Sequence, residues 1–303
     1  MTSPYGPIVL ISKTGSRAER TLAELRPHLV ERGLEHEVAF TGPDGDARRL
    51  ARAALEDGKR FLVAVGGDGT VSEVLNGMIA DDRPVREDAV LGIAAAGRGC
   101  DFIKTFGIPP LPSHAAAHLD GPESFPIDVG KITYVRDGET MSCYFANVAE
   151  VGLGAEVARR AARLPDVLGP TVYATAFWAT ILRNHSAHVT IDLVDRRFEG
   201  EMRNLVVANG QFFGGGMKVA PRAAPTDGLL DVQIQCTSRR ETIALLPKVY
   251  RGEHVPHPEI REAKRVRTSI TADRPLPVEA DGETLGETPA RFEVLAGAVR
   301  LKV

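Results

Sequence analysis

The sequence predicts two domains of different class: an α/β domain on a parallel sheet over residues 1–126, then a mainly antiparallel β domain over residues 127–296. Three observations lead there. The chain has 303 residues, and at roughly 150 residues per domain that length suits two. Apolar strand-like runs alternate with amphipathic helical runs through the first third. After the proline-rich stretch Ile108-Pro109-Pro110-Leu111-Pro112 the texture changes, and β-type segments dominate.

Ile8-Val9-Leu10-Ile11 reads as a buried strand. Residues 16–32 read as a helix, with Leu22, Leu25, Leu29 and Val30 on one face and Gly33 ending it. Residues 34–40 form a second strand, and 46–56 a second helix carrying Leu50, Ala53, Ala54 and Leu55. A third strand, 61–65, runs into a glycine-rich loop and a helix over 70–79. A fourth, 90–95, leads into another glycine-rich turn and a short helix. Such alternation specifies a parallel sheet with helices on both faces. Right-handed crossovers then place the strand-to-helix loops at one edge, where ligands bind. In the second domain, 131–135, 142–148, 188–194, 203–208 and 230–235 read as strands, and Arg136-Asp137-Gly138-Glu139 as a hairpin turn.

Hydrophobic residues make up 43% and charged residues 25%, enough for a packed core. The net charge of -3 gives no general pull toward nucleic acid or anionic membrane. Cys100, Cys143 and Cys236 are scattered without a CxxC pair, which fits a reducing compartment. There is no leader pattern and no run of roughly 18 apolar residues. The nearest, 167–182, contains Gly169 and Pro170 and ends at Arg183. A soluble, cytoplasmic protein is expected, with no transmembrane segment and no nucleic-acid partner.

A strand entering Gly66-Gly67-Asp68-Gly69-Thr70 and then a helix can hold phosphate. Glycine lets backbone N–H groups approach an anion, and the helix N-terminus adds partial positive charge. The run matches neither GxxxxGK[ST] nor GxGxxG. Asp68 beside phosphate is repulsive unless it works through a metal ion or orients a reacting hydroxyl. The plainer alternative is a tight turn with a capping aspartate.

These residues, with Glu73 and Asn76, resemble the nucleotide loop of the diacylglycerol kinase catalytic-domain family, which includes sphingosine kinases and bacterial lipid kinases. Later motifs extend the resemblance. They are Gly97-Arg98-Gly99-Cys100-Asp101-Phe102 with Phe106-Gly107-Ile108-Pro109, Ile127-Asp128-Val129-Gly130, Phe145-Ala146-Asn147, and Gly152-Leu153-Gly154. Further on come Asn209, Phe213-Gly214-Gly215-Gly216-Met217, Ala220-Pro221, Asp227-Gly228-Leu229-Leu230-Asp231 and Asp281-Gly282-Glu283.

The resemblance implies a phosphofructokinase-like α/β nucleotide domain and a β-sandwich domain, with residues 297–303 returning to the first. It implies ATP-dependent transfer of the γ-phosphate to a hydroxyl of diacylglycerol or a similar lipid, with ATP and Mg²⁺ as cofactors. Lys13, Thr14 and Gly15 match a first phosphate loop, although Ile11 and Ser12 replace the family's usual Asn-Pro. Thr41 matches a nucleotide contact, and Gly66, Gly67, Asp68, Gly69, Thr70, Val71 and Ser72 match the main loop. Asp281 and Glu283 match an acidic pair that supplies the general base, with Asp68 a further candidate. Asp227, with the carbonyls of Leu229 and Ala224, matches a metal site; an Asp-Gly turn is the alternative there.

Two residues depart from the pattern. Arg98 stands where the family carries a small residue; it would clamp phosphate or fill the pocket. Cys100 replaces an Asn. The stretch 168–182, with Tyr173, Phe177 and Trp178, suits either a core helix or an apolar wall for acyl chains. Glu253-His254-Val255-Pro256-His257-Pro258 reads as a surface loop, and Arg261, Lys264, Arg265 and Arg267 as a solvated face. The expected partner is a lipid substrate at the membrane surface, which would make the protein peripheral at the inner face. A homodimer is left open. Competing readings are a kinase of a sphingoid base or non-lipid alcohol, and a nucleotide- or lipid-binding regulator without turnover.

Overall fold

The computed structural model describes residues 3–14, 17–42, 46–97, 100–164, 171–183 and 185–303. Met1–Val129 with Leu295–Val303 form one unit, and Gly130–Val294 the other.

The first unit contains β1 (Ile8–Lys13), α1 (Arg17–Glu31), β2 (His36–Thr41), α2 (Ala47–Glu56), β3 (Phe61–Gly66) and α3 (Asp68–Met78). The short strands β4 (Ile79–Ala80) and β5 (Arg83–Pro84) follow, then β6 (Val90–Ala95), α4 (Asp101–Phe106) and α5 (Pro112–Asp120). The parallel order is β2-β1-β3-β6. Every residue of β3 and all but the last of β1 are buried, as suits strands covered on both faces. Leu22, Leu25 and Leu29 bury one face of α1 against Leu10, Phe61 and Val63 in the same cluster. Gly77 admits α2 closely: a Cβ there would lie 2.4 Å from the Arg48 carbonyl. From β1 the chain steps outward to β2, then crosses back to β3. The order therefore reverses between β1 and β3, and ligands enter such sheets at the carboxyl ends of the strands flanking that switch.

Strand β7 (Ser124–Arg136) leads into the second unit. There follow β8 (Glu139–Phe145), β9 (Val148–Gly152), α6 (Leu153–Ala161), α7 (Val172–Ile181), β10 (Ala187–Asp192), β11 (Arg197–Met202), β12 (Asn204–Ala208) and β13 (Leu230–Gln235). Then come α8 (Arg239–Arg251), β14 (Ile260–Arg265), β15 (Arg267–Ala272), β16 (Pro277–Ala280) and β17 (Glu283–Lys302). Antiparallel pairing joins β14-β13-β12-β9-β16-β17, and β10 joins β11 and β15. Phe145, Ile191, Leu205, Leu230 and Phe292 lie in its core. A capping box between Ser238 and Glu241 starts α8.

The end of β17 belongs to the first unit, where Arg300 and Leu301 pair in parallel with Val90 and Leu91. Gly297, at φ 60°, donates its N–H to Asp128 Oδ1 at 2.8 Å.

The α/β-then-antiparallel order is the one the sequence predicts; the differences are local. The strand expected over 142–148 breaks at Ala146-Asn147, whose N–H groups turn to a carboxylate described below. The helix expected from residue 70 begins at Asp68, because Gly67 takes the extended N-cap conformation.

Candidate functional site

In the first unit the elements converge at the carboxyl ends of β1, β2 and β3. Strand β3 ends at Gly66 and α3 begins at Asp68. A Cβ on Gly66 would lie 2.3 Å from Thr70 Oγ1, and one on Gly97 2.6 Å from Gly67 Cα, so backbone approaches backbone here. Gly69 faces open space, at a helix start whose first N–H groups have no intrahelical partner. Val71 and Ser72 are buried in that turn, and Thr70 is half-buried. Ser12 and Thr41 are buried with hydroxyls that lack any hydrogen-bond partner. Exposed Lys13 pairs in register with Thr41, and Thr14 Oγ1 lies 3.5 Å from the Thr41 carbonyl. Orphaned hydroxyls and free helical N–H groups fit the oxygens of a nucleotide polyphosphate. Gly15 and Arg98 lie outside the described residues.

Asp68 is held differently from a free base. Its Oδ1 accepts from Phe102 N at 2.9 Å and its Oδ2 from Asp101 N at 3.0 Å. It thus caps α4 and ties the two glycine-rich loops together. Burial raises its pKa, against those two N–H bonds, which lower it. Glu73 is likewise structural, accepting from Ala47 N at the start of α2.

In the second unit Asp281 and Gly282 make the two-residue turn between β16 and β17, at φ 49° and 89°, the pattern that favours Asp-Gly. Asp281 is buried. Its Oδ2 accepts from Ala146 N at 2.7 Å, and its Oδ1 from Asn147 N at 2.9 Å and Val148 N at 3.2 Å. Asn209 Nδ2 donates to the Ala146 carbonyl, and Asn147 Nδ2 to the Phe212 carbonyl. Motifs far apart in sequence therefore meet in one hydrogen-bonded knot. Glu283, the first residue of β17, is exposed.

Beside the knot lies an apolar cavity of about 120 Å³, walled by Leu153, Val157, Tyr173, Phe177, Phe213 and Met217. Glu150 and His254, which the motifs do not include, are among the polar groups that open on it. Glu150, on β9, accepts from Asn204 Nδ2 at 2.8 Å, and burial pushes its carboxyl up to about 7. His254 is buried: Nε2 lies 3.1 Å from the Val219 carbonyl, while Nδ1 has no partner. Burial lowers its pKa, keeping the ring neutral. The surface loop expected at His254 is thus corrected, because the ring fills the space beneath α8. Directly across from Glu150 on β16 stands Glu279, fully buried. Its Oε2 accepts from Gly282 N at 2.9 Å. Burial, then the charge of Glu150, raises its pKa well above a free carboxyl. A glutamate inside Val-Ala-Glu-Val-Gly, and another in Pro-Val-Glu-Ala, is the sequence signal that was available: an acid in an otherwise apolar strand.

The loop at Asp227 does not fit the metal expected there. Lys264 Nζ sits 2.6 Å from Asp227 Oδ2 and 3.3 Å from Asp231 Oδ2, supplying the positive charge itself. Asp227 Oδ1 accepts from Leu229 N, and the Ala224 carbonyl accepts from Thr226 N and Asp227 N. Arg265 forks onto Asp195. Lys264 and Arg265 are therefore engaged in ion pairs rather than presented as a free basic face.

Comparison with known proteins covers nearly the whole chain. The diacylglycerol kinase catalytic domain pattern matches residues 8–132, and the YegS C-terminal NAD kinase beta sandwich-like domain pattern matches 147–303. A Pseudomonas aeruginosa protein named "Probable lipid kinase YegS-like" is 35% identical over 272 residues, spanning 89% of this chain and 85% of its own. One of the same name from Stenotrophomonas maltophilia is 30% identical over 304 residues, spanning 99% and 96%. A diacylglycerol kinase structure from Bacillus anthracis superimposes with a TM-score of 0.71 at 20% identity, over 98% of this chain and 96% of that one. At that identity the likeness is one of fold.

Proposed function

Because the chain belongs to the diacylglycerol kinase catalytic-domain family, with a YegS-type C-terminal domain, we propose that it phosphorylates a hydroxyl of diacylglycerol or a similar lipid at a membrane surface. The observation that carries this reading is the glycine turn at the sheet's switch point, flanked by the partnerless hydroxyls of Ser12 and Thr41. ATP supplies the phosphoryl group, together with the Mg²⁺ that neutralises its charge. Ser12, Thr41 and the first N–H groups of α3 bind and orient phosphate oxygens. Asp68 holds the loop in shape through Asp101 and Phe102. In the second unit the apolar cavity takes part of an acyl chain and excludes water around it.

Asp281 receives the hydroxyl proton, with Glu283 beside it in sequence. Both Asp281 oxygens already accept from backbone N–H groups, so only their remaining lone pairs are open to that proton. A loose phosphoryl-transfer transition state tolerates that, because the proton leaves late. No helix among the described residues is long and apolar enough to cross a membrane.

Labelled-ATP transfer to a lipid panel of diacylglycerol, a sphingoid base and phosphatidylglycerol tests the reading. Transfer to a glycerolipid is expected, falling about a hundredfold or more in Asp281→Asn. A second reading, a regulator without turnover, draws on one observation: the oxygens of both Asp68 and Asp281 are already occupied by backbone N–H groups. Nucleotide binding without transfer to any acceptor, unchanged by Asp281→Asn, would favour it.

A further inference from the structure

Glu150 and Glu279 are direct partners across β9 and β16, so their side chains leave the same face of the sheet. Both are buried, Glu279 completely. Two carboxylates so placed cannot both ionise without strong repulsion. The groups around them do not relieve it. Strand β12 presents the neutral Asn204, α6 presents the backbone of Gly154, and His254 on the same cavity is held neutral by burial. Asp281, at the end of β16, adds to the repulsion. Each glutamate also has one oxygen in use and one spare. Glu150 Oε1 takes the Asn204 amide while the carboxyl borders the apolar cavity. Glu279 Oε2 takes the Gly282 N–H while Oε1 has no hydrogen-bond partner.

We infer that Glu150 and Glu279 share a single proton and act as a positioning pair for the acceptor: Glu150 receives a hydrogen bond from the lipid's polar group while Glu279 holds the Asp281-Gly282 turn. This rests on the kinase reading above for the identity of the acceptor, an amphiphile with an apolar chain and a hydroxyl or amine donor. When that donor bonds to Glu150, the carboxylate charge settles there and the proton on Glu279 Oε1. No proton enters or leaves. Glu279 Oε2 keeps its bond to Gly282 N, so an occupied cavity and a correctly held turn occur together. Loss of the shared proton at higher pH sets two anions against each other and against Asp281, loosening the turn.

The test uses the full chain and two readouts that need no turnover. Carbon-13 NMR of labelled glutamate carboxyls follows titration without any ligand. The single tryptophan, Trp178, packs edge-on against Phe177 of the cavity wall at 5.6 Å, so its fluorescence reports binding of dioctanoylglycerol. The two carboxyls are expected to titrate jointly in the wild type, and Glu150 to titrate at least about one unit lower in Glu279→Gln. Dioctanoylglycerol should bind about tenfold more weakly to Glu150→Gln, with KM for ATP unchanged, and the wild type's rise in lipid KM above neutral pH should vanish in Glu279→Gln. An unchanged Glu150 midpoint in Glu279→Gln, or unchanged lipid affinity in Glu150→Gln, overturns the pair. If the wild type phosphorylates no lipid while Trp178 still reports dioctanoylglycerol and the carboxyls titrate jointly, the kinase reading fails and the pair stands.

Discussion

Facing Glu150 across two buried strands, Glu279 is a residue whose removal ought to stabilise the chain. Burial, then the charge of Glu150, holds folded Glu279 well above a free carboxyl. Above the free-carboxyl range the native state therefore keeps a proton that the unfolded state has lost, so stability falls as pH rises from there until folded Glu279 itself ionises. Glu279→Gln keeps an acceptor for Gly282 N and removes one acid. Its melting temperature should exceed the wild type's by about 5 °C near pH 8 and match it near pH 4.5, a scan by calorimetry. Higher stability together with loss of the pH dependence of the lipid KM marks a functional residue, whereas a purely structural one would move stability alone. Cys100 makes a second case at this scale. It sits at φ 47° and ψ 50°, a left-handed conformation that Asn adopts at lower cost than Cys. Cys100→Asn should gain about 1 kcal/mol in urea unfolding.

Among the elements, the β13–β14 pair replaces the expected metal with a lysine. Lys264 reaches Asp227 and Asp231 from the neighbouring strand, and without it these carboxylates would repel. Millimolar Mg²⁺ or its chelation should leave wild-type unfolding unchanged. Lys264→Met should cost about 1 kcal/mol, given the pair's partial exposure, and should make stability respond to Mg²⁺. Helix α7 carries the other element-scale expectation. Tyr173 and Phe177 face the cavity while Trp178 is exposed, so Phe177→Ala should weaken dioctanoylglycerol binding more than Trp178→Ala, read by isothermal titration. Residues 168–170 of the aromatic stretch lie outside the described residues.

At the scale of the molecule, the chain's end completes its beginning. Val299 and Leu301 are buried in the first unit, and Leu301 pairs with Leu91 on β6. Leu301→Ala should cost about 2–5 kcal/mol and lower nucleotide affinity, although no phosphate-binding residue is touched. Thermal shift with and without ATP separates the two effects. Strands β1, β3 and β6 are legible because strands covered on both faces are continuous apolar runs. Helix α1 shows its period at Leu22, Leu25 and Leu29, although Val30, expected on that face, is exposed. The second unit was legible only in class. Its pairing partners lie far apart in sequence, and the break at Ala146-Asn147 follows from a distant carboxylate; in the first unit the short pair β4 and β5 follows from a turn.

By itself the sequence determined the two-domain order, the parallel sheet, the glycine turn and the family, since these rest on local pattern and short spacing. Only the tertiary structure decided what the acids do. Asp68 became a strut because α4 presents its N–H groups, Asp227 met a lysine rather than a metal, and Asp281 became the centre of a knot. Glu150 and Glu279 are 129 residues apart in the chain and adjacent only through the β9–β16 register. A carboxylate's chemistry is set by the dipoles and charges around it, and long-range strand pairing alone brings those together.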